Sequence, residues 1–198
     1  MQSIYIYGAS GHGLVVADIA KACGYNEIIF VDDGDNDYLS FDEIKNNNDI
    51  PISFGIGSNR IRKLLYKKLK KYNFEIVSLI HPSSIISSNV IIGNGTVIMP
   101  NVVVNSNSVI GKAVILNTSC IIEHENIVEN FVHISPNVAL AGCVKISESS
   151  HLGIGTCVIQ GLTIGENCII GAGSVVVNDI KDNIKAYGNP CKIIEVIE

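Results

Sequence analysis

The hydrophobic pattern of the chain changes near residue 80. From Ile80 to Val176 every sixth residue is aliphatic, without a single exception. An α-helix repeats every 3.6 residues and a simple strand every two, so neither element alone explains a period of six. A period of six is explained by short straight pieces joined by tight corners. Such corners favour Gly or Asn, and Gly recurs in this part of the chain. The pattern therefore predicts a β-helix that begins near residue 80.

Three pieces of six residues make one triangular coil of 18 residues. Successive coils should stack at the usual strand spacing of roughly 4.8 Å, with the aliphatic side chains filling the interior. Residues 18 positions apart then lie one above the other. The period never slips before Asp182, so we expect no long loop between the coils.

The first 79 residues show a different order, in which strands and helices alternate. The predicted strands are "SIYIYG", "EIIFVDD", "PISFGIG" and "FEIVSLI", and the first helix runs from Gly11 to Gly24. Such alternation is typical of a parallel sheet. At this length it corresponds to half of a dinucleotide-binding fold. We therefore predict two domains: an α/β half-Rossmann domain over 1–79, and a parallel β-helix with a short C-terminal tail over 80–198.

The second predicted helix, "SNRIRKLLYKKLKKYN", begins at Ser58 as its N-cap. Its expected buried stripe consists of aliphatic residues at helical spacing, namely Ile61, Leu64, Leu65 and Leu69. Half of the 14 Lys and Arg residues of the chain lie on this helix, between positions 60 and 71. We interpret them as a solvated helix face rather than a nucleic-acid site, because the net charge of the chain is −5.

Composition narrows the possible functions further. Hydrophobic residues make up 47% of the 198 residues, so the chain can bury a substantial core. We expect a cytoplasmic protein, since neither a signal-like start nor an apolar run of membrane-spanning length is visible. The six cysteines form no Cys-x-x-Cys pair and are expected to stay reduced, without zinc.

Four motifs accompany the period of six: "IYIYGASGHG", "VDD", "LNTSCIIEHENIV" and "YGNPCKI". Together they resemble the PglD/NeuD group of hexapeptide-repeat sugar acetyltransferases. The resemblance implies that the β-helix is left-handed, and that the protein is a homotrimer with each active site between two subunits. It also implies acetyl-CoA as co-substrate. The implied acceptor is the amino group of a UDP-linked 4-amino-4,6-dideoxy sugar of the bacillosamine type.

The glycine-rich loop at the start is expected to hold this nucleotide-sugar. Its glycines, Gly8, Gly11 and Gly13, do not follow the dinucleotide order, which disfavours an NAD-dependent oxidoreductase. Backbone N–H groups at a helix start favour phosphates. The substrate-binding candidates are the loop residues, the two carboxylates after the second strand and a backbone contact after the third, namely Ser10, Gly11, His12, Asp32, Asp33 and Gly57.

His124 is the candidate catalytic base. It follows the inward Ile122 by two residues and should face outward from a corner. An attacking amine or hydroxyl must lose a proton, and His accepts one near neutral pH. The resemblance assigns Glu125 as the partner of His124, with Glu123 as the competitor. Gly142, 18 residues further on, leaves room for the thioester and offers an N–H to the oxyanion.

The acetyl-CoA site is implied by the resemblance to include His133, Ile154 and Ala172. By the 18-residue rule His133 and His151 should stack, and His151 has no assigned role. A metal on this pair is not expected, because positions 115 and 169, above and below it, are both Ile. No cysteine has a base at a stacking position, so we expect direct attack on acetyl-CoA without an acetyl-enzyme.

Two other functions stay open at this point. The first is O-acetylation of sialic acid or another sugar. The second is a non-catalytic β-helix scaffold, which would release no free thiol from acetyl-CoA with any nucleotide-sugar.

Overall fold

The computed structural model describes residues 2–197 and begins with a small parallel sheet. Its strands are β1 (Ser3–Tyr7), β2 (Glu27–Val31) and β3 (Ile52–Phe54), in the spatial order β2-β1-β3. The helices are α1 (Gly11–Ala22), α2 (Phe41–Ile44) and α3 (Asn59–Lys71). The central strand β1 pairs with a neighbour on each side. Strands β1 and β3 are almost wholly buried, whereas most of β2 is half-buried.

The rest of the chain forms a β-solenoid of three sheets, built from strands of two residues each. In chain order they are β4 (Leu79–Ile80), β5 (Ile85–Ile86), β6 (Ile91–Ile92), β7 (Val97–Ile98), β8 (Val103–Val104), β9 (Val109–Ile110), β10 (Ile115–Leu116), β11 (Ile121–Ile122), β12 (Ile127–Val128), β13 (His133–Ile134), β14 (Ala139–Leu140), β15 (Lys145–Ile146), β16 (His151–Leu152), β17 (Cys157–Val158), β18 (Thr163–Ile164), β19 (Ile169–Ile170) and β20 (Val175–Val176). Longer strands, β21 (Ile184–Tyr187) and β22 (Lys192–Val196), form an antiparallel pair at the end.

The strands fall into three faces of a prism. The first face contains β4, β7, β10, β13, β16, β19, β21 and β22, the second begins with β5, and the third begins with β6. From β4 to β17, each residue of a two-residue strand pairs with the residue 18 positions later, as Ile121 does with Ala139. At the end of the solenoid, β19 pairs with β21 at an offset of 16. The predicted α/β domain followed by a β-helix is confirmed, including the spacing between coils.

The aliphatic positions of the six-residue period form the core of the solenoid. All of them from Ile98 to Val176 are buried, as predicted. The three earlier ones, Ile80, Ile86 and Ile92, remain half-buried or exposed, because they lie on the first coil and no coil stacks beneath them.

Each corner turns at its third residue, where the backbone enters the left-handed region. Positive φ recurs every six residues from Gly95 to Gly173. Gly and Asn occupy most of these positions because they tolerate this conformation best. Glu125 and Cys143 are exceptions, each with φ 59.

Several details of the N-terminal prediction are wrong. In α3, Leu69 is buried as expected, but Ile61 and Leu64 are 41% and 57% exposed. Arg62 is buried instead, at 1% exposure. Its guanidinium donates hydrogen bonds to the backbone carbonyls of the solenoid corners, which an aliphatic side chain cannot satisfy.

The predicted strand "FEIVSLI" is also not a strand of the N-terminal sheet. Ile76 makes only an isolated bridge to Ile52, and Leu79 and Ile80 already belong to the solenoid as β4. The first helix ends at Ala22, two residues before Gly24, and α2 is not apparent from the sequence pattern. Ser58 caps α3 as predicted, accepting from the Ile61 N–H at 3.4 Å. Within residues 2–197, we find no helix with the length and apolar character that crossing a bilayer requires.

Candidate active site

An exposed histidine–glutamate pair occupies one corner of the solenoid, between β11 and β12. His124 Nδ1 lies 3.0 Å from Glu125 Oε2, and both side chains are more than half exposed. The carboxylate of Glu123 instead accepts a hydrogen bond of 2.9 Å from Asn105 Nδ2, one coil below. Of the two flanking acids, Glu125 is therefore the one that contacts the imidazole.

Gly142 stacks directly on His124 from the next coil. The Cys143 N–H donates to the His124 carbonyl at 3.0 Å. A Cβ atom on Gly142 would lie 2.5 Å from Cε1 and 2.6 Å from Nε2 of the ring. Since real carbon contacts are about 3.5 Å or longer, only glycine leaves this ring in place.

The Gly142 N–H makes no hydrogen bond to any of the residues 2–197. At several other corners, the residue in the same position as Gly142 donates its backbone N–H to a side-chain oxygen. These residues are Lys112, Thr118, Glu148 and Glu166. The Gly142 N–H is thus a backbone donor beside the imidazole that the fold has left without a partner.

Two buried polar side chains hold these corners in place. Ser108 Oγ donates to the Glu123 carbonyl at 2.9 Å. Asn126 Nδ2 donates to the Ala141 carbonyl at 3.1 Å, and its Oδ1 accepts from the Val144 N–H at 2.9 Å. Because each bond links neighbouring coils, the corners that carry His124 and Gly142 are fixed relative to each other.

A second group of histidines lies where the N-terminal domain packs on the first face. The rings of His133 and His151 are parallel with centroids 4.5 Å apart, so they stack as the 18-residue rule predicts. The His12 ring lies 6.2 Å from that of His133. His133 Nδ1 and His12 Nε2 are buried without a hydrogen-bond partner among the described residues.

Burial keeps these imidazoles neutral. It is the main reason why the pKa of His12 falls to about 4 and that of His133 to about 3. The neighbouring Arg62 adds to both shifts, and His151 adds to that of His133. The pKa of His151 is lowered as well, by burial first and Arg62 second. A neutral ring with a free nitrogen can donate to or accept from a polar ligand.

A cavity of about 800 Å³ opens beside this group. Gly57, His133 and His151 line it, together with Arg60 and Lys63 of α3. The structure thus brings His133, predicted for acetyl-CoA, together with His12 and Gly57, predicted for the nucleotide-sugar. This proximity was not foreseen, because it depends on how the two domains pack.

The other predicted acetyl-CoA residues lie on a separate corner, between the first and second faces. Ile154 is exposed there, and Ala172 lies on the next coil of the same corner. The Gly173 N–H donates to the Ile154 carbonyl at 2.8 Å, which fixes the stacking. His124 lies between the second and third faces, so one chain does not bring it together with these residues.

The glycine loop lies at the carboxyl edge of the parallel sheet. Ser10 and Gly11 are exposed at the start of α1. Gly13 must be glycine, because a Cβ atom there would lie 2.0 Å from the Gly8 carbonyl oxygen. A small cavity of about 180 Å³ lies between this loop and the ends of β2 and β3.

The two acids after β2 already have partners in the protein. Asp32 Oδ2 accepts from the Ala9 N–H at 2.9 Å, which is the main reason why the pKa of Asp32 is lowered. Asp33 accepts from Tyr7 Oη and the Phe41 N–H, both at 2.7 Å, and pairs with Lys68. Asp33 therefore supports the walls of the pocket, whereas the backbone bond of Asp32 shapes the loop itself.

Sequence reasoning missed Arg62 altogether. Its Nη1 donates to the Gly57 carbonyl and its Nη2 to the Phe131 carbonyl, at 3.1 Å and 2.9 Å. Arg62 therefore ties the loop that lines the large cavity to the solenoid. The helical pattern offered no signal for this role, because the partners are backbone groups distant in sequence.

Comparisons with known proteins cover both parts of the chain. The family described as "PglD N-terminal domain" matches residues 3–69. The acetyltransferase domain of PglB from Neisseria gonorrhoeae FA1090 is 36% identical, with a TM-score of 0.92 over 98% of this chain and 100% of that one. The same domain has also been solved in complex with acetyl coenzyme A.

A perosamine N-acetyltransferase variant from Caulobacter crescentus, solved with CoA and GDP-perosamine, is 33% identical, with a TM-score of 0.94 and 98% of each chain covered. Among curated sequences, a galactoside O-acetyltransferase from Lactococcus lactis is 43% identical over 65 residues. The chain spans only about a third of the length of the curated relatives it matches.

Proposed function

The chain belongs to the PglD-type family of nucleotide-sugar acetyltransferases, and we propose that it transfers the acetyl group of acetyl-CoA to the amino group of a nucleotide-linked amino sugar. The observation that carries this proposal is the full-length likeness to acetyltransferases solved with acetyl coenzyme A or with CoA and GDP-perosamine. The proposed acceptor is the amine of a UDP-linked 4-amino-4,6-dideoxy sugar, as in a bacillosamine-type pathway.

The His124 corner supports a direct transfer. With its Nδ1–H donating to Glu125, the neutral ring presents the Nε2 lone pair to the acceptor. The amine attacks the thioester carbonyl and passes a proton to Nε2, and the Gly142 N–H donates to the resulting oxyanion. Collapse of the intermediate breaks the carbon–sulfur bond, and the imidazolium protonates the departing CoA thiolate.

The remaining contacts follow the division between the two domains. The nucleotide-sugar lies against the loop of Ser10, Gly11 and His12, near Gly57 and the acidic pair Asp32 and Asp33. Ile154 and Ala172 contact acetyl-CoA on their corner. His133, which lies beside His12, contacts acetyl-CoA. Its Nδ1 has no hydrogen-bond partner among the described residues, which supports a hydrogen bond to this ligand.

We further propose that the active site lies between subunits of a homotrimer. His124 lies on a different corner from Ile154, so a complete site requires a second chain. Large aliphatic side chains are exposed on the outer surfaces of the second and third faces, which supports burial of these faces against other subunits. They include Ile85, Ile91, Ile121 and Ile127.

Mixed trimers test the shared site. His124→Ala and His12→Ala variants, each expected to be strongly impaired alone, are denatured together, refolded and assayed. If one site draws on two subunits, the mixture regains activity, because some sites receive both intact residues. Activity that stays at the level of the separate variants would place both residues in the same subunit.

The substrate is tested with a panel of acceptors and acetyl-CoA, following the acetylated product by mass spectrometry. The panel contains UDP- and GDP-linked 4-amino sugars, the free amino sugars and sialic acid. We expect acetylation of the UDP-linked amine. The likeness to the galactoside O-acetyltransferase favours O-acetylation as the second candidate, which acetyl ester formation would reveal. Absence of any product would support a scaffold.

A further inference from the structure

A third metal-ligating side chain lies beside the His124–Glu125 pair. Cys143 follows Glu125 by 18 residues and therefore stacks on it from the next coil. Its thiol lies 3.6 Å from Glu125 Oε2. An imidazole nitrogen, a carboxylate oxygen and the sulfur of these residues all lie within 4.8 Å of one another, and all three side chains are exposed.

We propose that His124, Glu125 and Cys143 form an inhibitory zinc site. Zinc prefers tetrahedral sites of nitrogen, oxygen and sulfur ligands, with bonds of about 2.0–2.3 Å. Such bonds place the ligand atoms roughly 3.5 Å apart. The observed spacing thus requires closure by about 1 Å, which exposed side chains achieve by rotation. A water molecule completes the fourth position.

Inhibition follows from the ligand identities and rests on the proposed function. On binding, Cys143 releases its thiol proton and becomes a thiolate ligand. The ion is coordinated by a lone pair of the His124 imidazole and by the Glu125 carboxylate, which otherwise orients this imidazole. His124 can then no longer accept the proton of the attacking amine. Because substrates must reach His124, a hydrated ion reaches it by the same route.

Cys143 is the residue that makes the corner specific for zinc. A histidine and a carboxylate alone form a weak, unselective site, whereas a thiolate favours zinc strongly over magnesium. The backbone of Cys143 is left-handed, with φ 59, a conformation that Asn adopts readily. Cys143→Asn therefore removes the sulfur without straining the corner.

The experiment has one readout that is independent of acetyl transfer. Untagged, freshly reduced protein is titrated with Co²⁺, and thiolate coordination is followed by its charge-transfer absorption in the near ultraviolet. Initial rates of acetylated-sugar formation are then measured at increasing Zn²⁺, with Mg²⁺ as the control ion. Product is quantified directly, because the thiol of released CoA would bind zinc.

We expect the charge-transfer band in the wild type and its loss in Cys143→Asn. The zinc concentration that halves the rate should rise at least about tenfold in that variant, whose rate without zinc is unchanged. Cys157→Ser is the matched control, since Cys157 is the other exposed cysteine and lies on the second face. It should keep both the band and the inhibition.

Equal zinc sensitivity of wild type and Cys143→Asn, or a cobalt spectrum without the thiolate band, would overturn the proposal. If no acceptor is acetylated, the proposed function fails, but the cobalt spectra still decide whether the site exists.

Discussion

Replacing Gly142 by alanine tests the active-site geometry through a single methyl group. The added Cβ atom would lie 2.5 Å from Cε1 of His124, against an ordinary contact of about 3.5 Å or more. The ring must therefore move by about 1 Å. A displacement of that size in a catalytic group costs roughly a factor of 10² in rate, which is about 2.7 kcal/mol.

The same substitution should leave the fold intact. Gly142 is not among the residues with positive φ, so alanine is compatible with its backbone. His124 is exposed and can swing into solvent. Alanine also reduces the conformational freedom of the unfolded chain, so the melting temperature should stay the same or rise slightly.

The assay compares kcat and melting temperature for the wild type, Gly142→Ala, His124→Ala and the double variant. If the methyl group acts only through the ring, Gly142→Ala costs nothing further once His124 is already alanine. Wild-type turnover in Gly142→Ala, or an independent hundredfold loss in the double variant, would refute the stacking argument.

Three further predictions concern the surroundings of the site. Glu125→Gln should lower kcat by about tenfold or more, because an amide orients and stabilises the imidazolium poorly, whereas Glu123→Gln should not; equal losses would contradict the assignment. Asn126→Ala should lower the free energy of unfolding by about 1–3 kcal/mol in a urea titration, because buried backbone groups lose partners; an unchanged midpoint would contradict this. His12 and His133 have lowered pKa values in the folded state, about 4 and about 3, so below about pH 6.5 the unfolded chain binds more protons. The contribution of these two histidines to the free energy of unfolding is therefore complete above that pH and is lost toward pH 4, by up to about 1.4 kcal/mol per pH unit for each histidine. His12→Gln should make the free energy of unfolding less dependent on pH in this range, and the same dependence as in the wild type would contradict this.

The solenoid was predictable because one rule governs both its core and its stacking. The six-residue period identifies the inward side chains, and three periods give the offset between coils. That offset correctly placed Gly142 on His124 and His133 on His151. Applied to Glu125, the same offset points to Cys143, so the expectation that no cysteine has a base at a stacking position is wrong. The Cys143 thiol lies 3.6 Å from Glu125 Oε2 and close to the His124 ring.

Residues whose partners are backbone groups were less predictable. Helical periodicity predicted that Ile61 and Leu64 are buried, but both are exposed. Arg62 is buried instead, because its guanidinium donates hydrogen bonds to backbone carbonyls of the solenoid corners. The sequence likewise predicted that Asp32 and Asp33, after β2, bind the nucleotide-sugar. In the structure Asp33 is already engaged by Tyr7 and the Phe41 backbone.

The sequence also could not decide between the two acids that flank His124. Both lie next to it in the chain, and a simple pattern treats them alike. The left-handed backbone of Glu125 and the bond between Asn105 and Glu123 separate their roles. Such a distinction depends on corner geometry rather than on residue type.

The central claim is that His124 accepts the proton of the attacking acceptor. Its most direct test is the kcat of His124→Ala on the best acceptor of the panel, with acetyl-CoA binding measured separately by calorimetry. We predict a loss of roughly 10²-fold or more in kcat with nearly unchanged acetyl-CoA affinity. A variant that turns over within about threefold of the wild type would contradict the account, because general-base catalysis is worth far more.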